Sequence, residues 1–257
     1  MTLTNTQINP FWYCSHYIED YTSAINRKYF SIQNLLILFL ILSFIFFVTK
    51  KYKKANKEKK LMMKKWFAVS ILFLEVLKLC VTGFLYPQYI KYYLPLHLCS
   101  FAGGFIVLEA IFKNNKIINQ WWIYIFLFAG ILGVVSPDSS YPWFNYYLFH
   151  AFVYHTLITT YAIIKIASHE SVPTYKGIWL STLFIAVTLI PIYFINKAFG
   201  TNYYLINDPQ GFPVTNMIYS FSAPFGQWAY LFAMCLLGFI LFHIIYFVYK
   251  TFKKRST

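Results

Sequence analysis

Acidic residues are scarce in this chain: eight Asp and Glu stand against 22 Lys and Arg in 257 residues, and charged residues of both signs make up only 12%. A soluble domain carries about a quarter charged residues. The shortage excludes a sizeable soluble domain. The four cysteines, Cys14, Cys80, Cys99 and Cys235, form no CxxC pair. Neither a structural zinc site nor a dithiol redox motif is indicated. The chain does not open on a basic stretch followed by an apolar core, so no cleaved secretory leader is expected. No internal or inverted repeat is visible, which counts against a repeat-built transporter.

What is abundant is apolar length. Hydrophobic residues make up 59% of the chain and the mean hydropathy is +0.52. Several runs approach the ~20 residues that cross a bilayer. They predict seven spans: Ile32–Thr49, Trp66–Tyr86, Leu94–Phe112, Trp121–Val135, Phe144–Ala167, Gly177–Asn196 and Gln227–Tyr249. Most basic residues lie in four stretches, Lys50–Lys65, Lys113–Lys116, Lys165–Lys176 and Lys250–Arg255, which alternate with basic-poor loops. Lys and Arg mark cytoplasmic loops. An odd number of spans then puts the N-terminus outside and the C-terminus in the cytoplasm.

The expected fold class is all-α, a polytopic membrane helical bundle of seven transmembrane helices. An extracellular segment (residues 1–31) leads into the membrane domain (32–250), and a basic cytoplasmic tail (251–257) ends it. The expected location is the cell membrane, multi-pass, with membrane lipids as partners. The net charge of +14 is distributed by topology and not as a nucleic-acid surface. Lys50–Lys65 would attract anionic headgroups. No protein partner is indicated. Trp66, Trp121, Trp122, Trp143, Trp179 and Trp228 fit interfacial belts. The loop Phe199–Gly226 is long for a connection and reads as a lid or re-entrant segment.

Ionisable residues at membrane depth are costly and are candidates for function. Glu75 and Lys78 sit three residues apart on one helical face. They read as a mutually neutralising pair, or as groups that orient a substrate or a neighbouring span. His97 opens the third span, His150 lies under two turns into the fifth, and Asp138 lies in the loop between the fourth and fifth. Two imidazoles and a carboxylate would support proton transfer near neutral pH. His155 is rotated from His150 by roughly 140° on a regular helix and is expected to point elsewhere. Cys99 has two readings: a nucleophile, or a small packing residue. On a regular helix His97 and Cys99 point about 200° apart, which favours His150 as the base for Cys99 unless the span starts irregularly. No metal-ligand spacing is present and no cofactor is implied.

The segment Leu94–Ser100 (LPLHLCS), then Ser136-Pro137-Asp138, then His150, then Gly200-Thr201-Asn202-Tyr203-Tyr204 resemble the YwaF-like bacterial integral membrane proteins. That family is related to the eukaryotic transmembrane protein 164 acyltransferases. The resemblance runs from about the second span to Gln227-Trp228. It implies acyl transfer on phospholipid or lysophospholipid chains, at a His/Cys site in the outer leaflet half. His97, Cys99, His150 and Asp138 are then the candidate catalytic residues, and Asn202, Tyr203, Glu75 and Lys78 the candidate substrate-binding residues. Two other classes fit the residues: a small-molecule transporter or permease subunit, and a non-catalytic scaffold.

Overall fold

The computed structural model describes residues 10–14, 31–113, 115–135, 141–207, 209 and 213–255. Among the described residues every element is helical. The helices are α1 (Ile32–Lys54), α2 (Lys57–Leu85), α3 (Phe101–Ile111), α4 (Lys116–Val135), α5 (Tyr146–Ala167), α6 (Tyr175–Phe199), α7 (Pro213–Ser222) and α8 (Gln227–Arg255). Six are long and apolar enough to cross a membrane: α1, α2, α4, α5, α6 and α8.

Polar caps set the boundaries. Ser31 accepts from the Asn34 amide at the start of α1 (3.3 Å), and Asn56 accepts from Lys59 at the start of α2 (2.9 Å). Asn115 accepts from Ile117 and Ile118 at the start of α4 (2.9 and 3.1 Å). Thr174 accepts from Gly177 at the start of α6 (3.0 Å). Each satisfies amides that the first turn leaves without partners. Gly200, in the left-handed conformation (φ 63°), ends α6.

Two departures from the sequence reading matter. The third span, expected over Leu94–Phe112, is regular helix only from Phe101 to Ile111. Pro87 and Pro95 carry no amide hydrogen, and the chain from Pro87 to Ser100 runs as a 3₁₀ turn and then as consecutive tight turns. The amide of Ser100 donates to the carbonyl of His97 (3.0 Å) and that of Gly103 to Ser100 (3.1 Å), a spacing of three and not four. The fourth span begins earlier than expected, at Lys116, and carries a π turn over Trp122–Phe126. Those five side chains are fully buried. Trp122 is therefore a core residue and not part of an interfacial belt, and the half-buried Trp121 packs on Phe105 and Phe184. Trp66, Trp179 and Trp228 stay exposed on the bundle's outer surface, as anchors should.

Helices α4 and α5 form the central pair, while α1 and α8 give most of their surface to the surroundings. Gly130 and Gly133 let α4 approach α5: a Cβ at either would overlap Thr159 or the His155 ring. The hydroxyls of Thr156 and Thr160 donate to the carbonyls of Phe152 and Thr156 (both 2.6 Å), so α5 stays buried although it is the least apolar span.

At the lysine-rich end, Lys165 of α5 pairs with Glu109 of α3. Glu170, in the turn after α5, accepts from the Tyr52 hydroxyl of α1 (2.6 Å) and from Lys64 of α2 (2.9 Å). Burial pushes the Glu170 carboxyl up. The hydrogen bonds from Tyr52 and Lys64, with the Lys64 charge, outweigh that and hold it below its ordinary value.

Candidate functional site

The opposite end of the bundle holds a cavity of about 690 Å³. Most of its lining comes from four places. Helix α2 contributes Glu75 and Lys78, and the turns before α3 contribute His97, Cys99 and Ser100. Helix α5 contributes His150, Tyr154 and His155, and the loop after α6 contributes Asn202 and Tyr203. The structure thus brings together seven of the eight residues singled out in the sequence. The eighth, Asp138, lies outside the described residues.

The irregular start of the third span explains the gathering. His97 and Cys99 would diverge on a regular helix, but tight turns let both reach one space. Proline in the sequence therefore acts on the site through the backbone it denies.

Glu75 and Lys78 form the expected ion pair, Nζ to Oε1 at 2.6 Å, with both residues under 10% exposed. Lys78 Nζ also lies 3.5 Å from the Ser100 hydroxyl, next to Cys99. The pair brings one cation and one anion to the cavity wall without a net charge. This limits the penalty of burial.

Two histidines are held in defined tautomers. His150 Nε2 is 3.0 Å from the Leu74 carbonyl, which can only accept, so Nε2 carries a proton. In the neutral ring Nδ1 is then the basic nitrogen. His155 Nδ1 donates to the Ala151 carbonyl (2.7 Å), which leaves Nε2 as its basic nitrogen. His155 was expected to turn away; it lines the same cavity as His150 and Tyr154. The Tyr154 ring stacks on His150 at 5.5 Å, and its hydroxyl donates to the Cys99 carbonyl (3.2 Å). Tyr154 therefore links the two elements that carry the reactive side chains.

The roof over His97 is Tyr203, whose ring meets the imidazole edge-on at 4.9 Å and whose hydroxyl donates to the Lys91 carbonyl. Burial pushes the Tyr203 phenol up to about 12, so it stays a donor. Asn196, fully buried in the last turn of α6, fixes this loop. Its amide donates to the Tyr203 carbonyl (2.9 Å), and its oxygen accepts from the Tyr203 amide (2.8 Å) and the Thr201 hydroxyl (2.9 Å). Asn202 in turn accepts from the Asn207 amide (2.9 Å). Tyr204 and Leu205 follow with φ of 61° and 57°, left-handed values that non-glycine residues rarely take. Such backbone persists only where its surroundings determine it. The sequence reading named Asn202 and Tyr203 but missed Asn196, Tyr154 and His155. An amide at the end of an apolar helix, four residues before a glycine, was the available signal for Asn196.

The family model of the TMEM164 family matches residues 26–249, so the chain belongs to that family. No curated protein and no solved structure matches it.

Proposed function

From that membership and the cavity together, we propose that this multi-pass membrane protein transfers acyl chains between phospholipids and lysophospholipids. The observation that carries the proposal is the convergence of Cys99, His97, His150 and the Glu75–Lys78 pair on one space of about 690 Å³. A thiol, imidazole bases and a desolvated ion pair are the parts that acyl transfer uses.

In the first step the Cys99 sulfur attacks the ester carbonyl of a phospholipid. His150 Nδ1 or His97 takes the thiol proton and returns it to the departing glycerol oxygen. A thioester and a lysophospholipid result. In the second step a lysophospholipid hydroxyl attacks the thioester, the same base takes its proton, and that proton passes to the leaving thiolate. No oxidant or reductant enters. Lys78, and donors of the Asn202–Tyr203 loop, stand to steady the oxyanion. Asp138 would assist from the loop before α5.

We read the topology as seven passes, the third of them half turns and half helix. The N-terminal segment (1–31) then lies outside, the bundle spans residues 32–250, and the basic tail (251–257) lies in the cytoplasm of a cell-membrane protein. The lysine distribution supports this orientation. The cavity then opens in the outer leaflet half.

Protein in nanodiscs, given acyl-labelled phospholipid and unlabelled lysophospholipid, is expected to move label to the lysolipid. It should also accumulate a hydroxylamine-sensitive adduct on Cys99. Cys99→Ala and His150→Ala are expected to lose on the order of 10²–10⁴-fold in rate. Wild-type turnover in Cys99→Ala, His97→Ala and His150→Ala alike would overturn the proposal. Uptake of a soluble solute into vesicles with no lipid turnover would replace it with transport.

A further inference from the structure

Residues Pro10–Cys14 dock against the cavity end with four consecutive carbonyls satisfied. Those of Pro10 and Tyr13 accept from the Asn145 amide (3.0 and 2.7 Å). Phe11 accepts from the Tyr146 amide (2.8 Å), and Trp12 from the Tyr86 hydroxyl (2.8 Å). A random tail crossing a surface does not find a partner for each successive carbonyl; this segment occupies a fitted seat. Tyr13 and Cys14 are fully buried there.

The seat is built from the helix terminus. The Tyr146 amide is one that the first turn of α5 leaves without a helical partner. Asn145 serves twice: its oxygen caps α5 by accepting from Tyr147 and Leu148 (2.9 and 3.2 Å), while its nitrogen holds the segment. Cys14 Sγ lies 3.0 Å from the Tyr93 hydroxyl, which lies 2.8 Å from that of Tyr141. The Tyr93 and Tyr147 rings approach to 4.8 Å. All three tyrosines line the cavity. One side of this aromatic wall faces the reactive space, and Tyr13 and Cys14 back the other.

Resting on the acyl-transfer reading, we infer that Pro10–Cys14 is a specificity-determining strap that seals the cavity against water and so directs the acyl group to a lipid hydroxyl. The Cys99 thioester has two fates. A lysolipid hydroxyl takes the acyl chain and returns its proton to sulfur, which gives phospholipid and thiol. Water doing the same gives fatty acid and thiol. Only exclusion of water separates the two.

Asn145→Asp tests this cleanly. Aspartate keeps the oxygen that caps α5 but replaces the donor to Pro10 and Tyr13 with an acceptor that repels their carbonyls. Tyr86→Phe is the gentler companion, removing the bond to Trp12. Cys14 labelling by a membrane-impermeant maleimide, mapped by peptide mass spectrometry, reads the strap without any activity. Cys14 is expected to be protected in the wild type and to label roughly thirtyfold faster in Asn145→Asp, the factor that follows from withdrawing the net contributions of two hydrogen bonds. The ratio of released fatty acid to transferred acyl chain is expected to rise in step, with Tyr86→Phe between. Unchanged Cys14 labelling in both variants overturns the strap. Faster labelling with an unchanged product ratio overturns its role in specificity. Faster labelling in a protein whose wild type turns over no lipid overturns the acyl-transfer reading and leaves the docked strap standing.

Discussion

The two ends of the bundle both hold ionisable residues out of water, and they treat them in opposite ways. At the lysine-rich end, Lys165 closes on Glu109, and Tyr52 and Lys64 close on Glu170. Lys165 is 1% exposed, while the Lys64–Glu170 pair stays partly open to solvent. At the other end Glu75 and Lys78 also pair, but beside a volume of about 690 Å³ shared with a thiol and three imidazoles. Burial of charge alone therefore does not mark a site. What marks the Glu75–Lys78 pair is the room beside it and the reactive side chains that share that room.

Removing one partner at the closed end should have the largest effect on stability. Lys165→Met leaves the Glu109 carboxylate without its counter-charge and should destabilise by about 3–5 kcal/mol, as breaking a buried pair does. Thermal unfolding in detergent would show it. The double variant with Glu109→Leu should recover most of the loss. Acyl transfer per folded molecule should not change, and a selective loss of turnover would erase the contrast between the two ends.

A smaller loss is expected from Gly133→Ala, at about 1–3 kcal/mol, because the added methyl overlaps the His155 ring. Here the comparison is sharpened. If the open end is where chemistry occurs, this variant should lose turnover beyond what its lower melting temperature explains. Gly130→Ala, which crowds Thr159 outside the cavity lining, should lose stability alone.

The smallest effect concerns pH. The Glu170 carboxyl is held below its ordinary value of 4.5 in the folded chain. Its contribution to stability is therefore fully present above that ordinary value and is lost as pH falls through the lower, folded one. Melting temperatures of wild type and Glu170→Gln should converge as the pH drops through that window. A gap that stays constant to the lowest pH would mean that the charge of Glu170 is not what holds Tyr52 and Lys64.

The long apolar runs made most of the architecture legible. Six helices fall where hydropathy put spans, because a segment that must satisfy its own backbone in lipid has few alternatives to a helix. The third expected span is regular helix only from Phe101 to Ile111, after consecutive tight turns. The same irregularity hid part of the site's geometry, since helical periodicity set His97 against Cys99; His155 sits on the regular helix α5 and lines the cavity all the same. Glu75 and Lys78 were legible as a pair because they are neighbours on one helix. Glu109 and Lys165 were not, because 56 residues separate them and only the packing of α3 on α5 makes them partners. Asn145 caps α5, and nothing in its local sequence announces the chain segment that it holds more than a hundred residues away.

The loop that roofs the cavity carries one more consequence, for the order in which the protein comes into being. Tyr204 and Leu205 sit in left-handed backbone, and their end of the loop is fastened by α8: Tyr230 donates to the Leu205 carbonyl (2.8 Å) and Gln227 to that of Ile206. Helix α8 is synthesised after every element that lines the cavity. Cys99, His97 and His150 are already in the membrane when it emerges, and Asn196 can already hold the Tyr203 end of the roof, but the Leu205 end lacks its two bonds to α8 until that helix arrives. A ribosome-bound chain would thus hold its reactive groups under a roof fastened at one end. Arrival of α8 fastens the other.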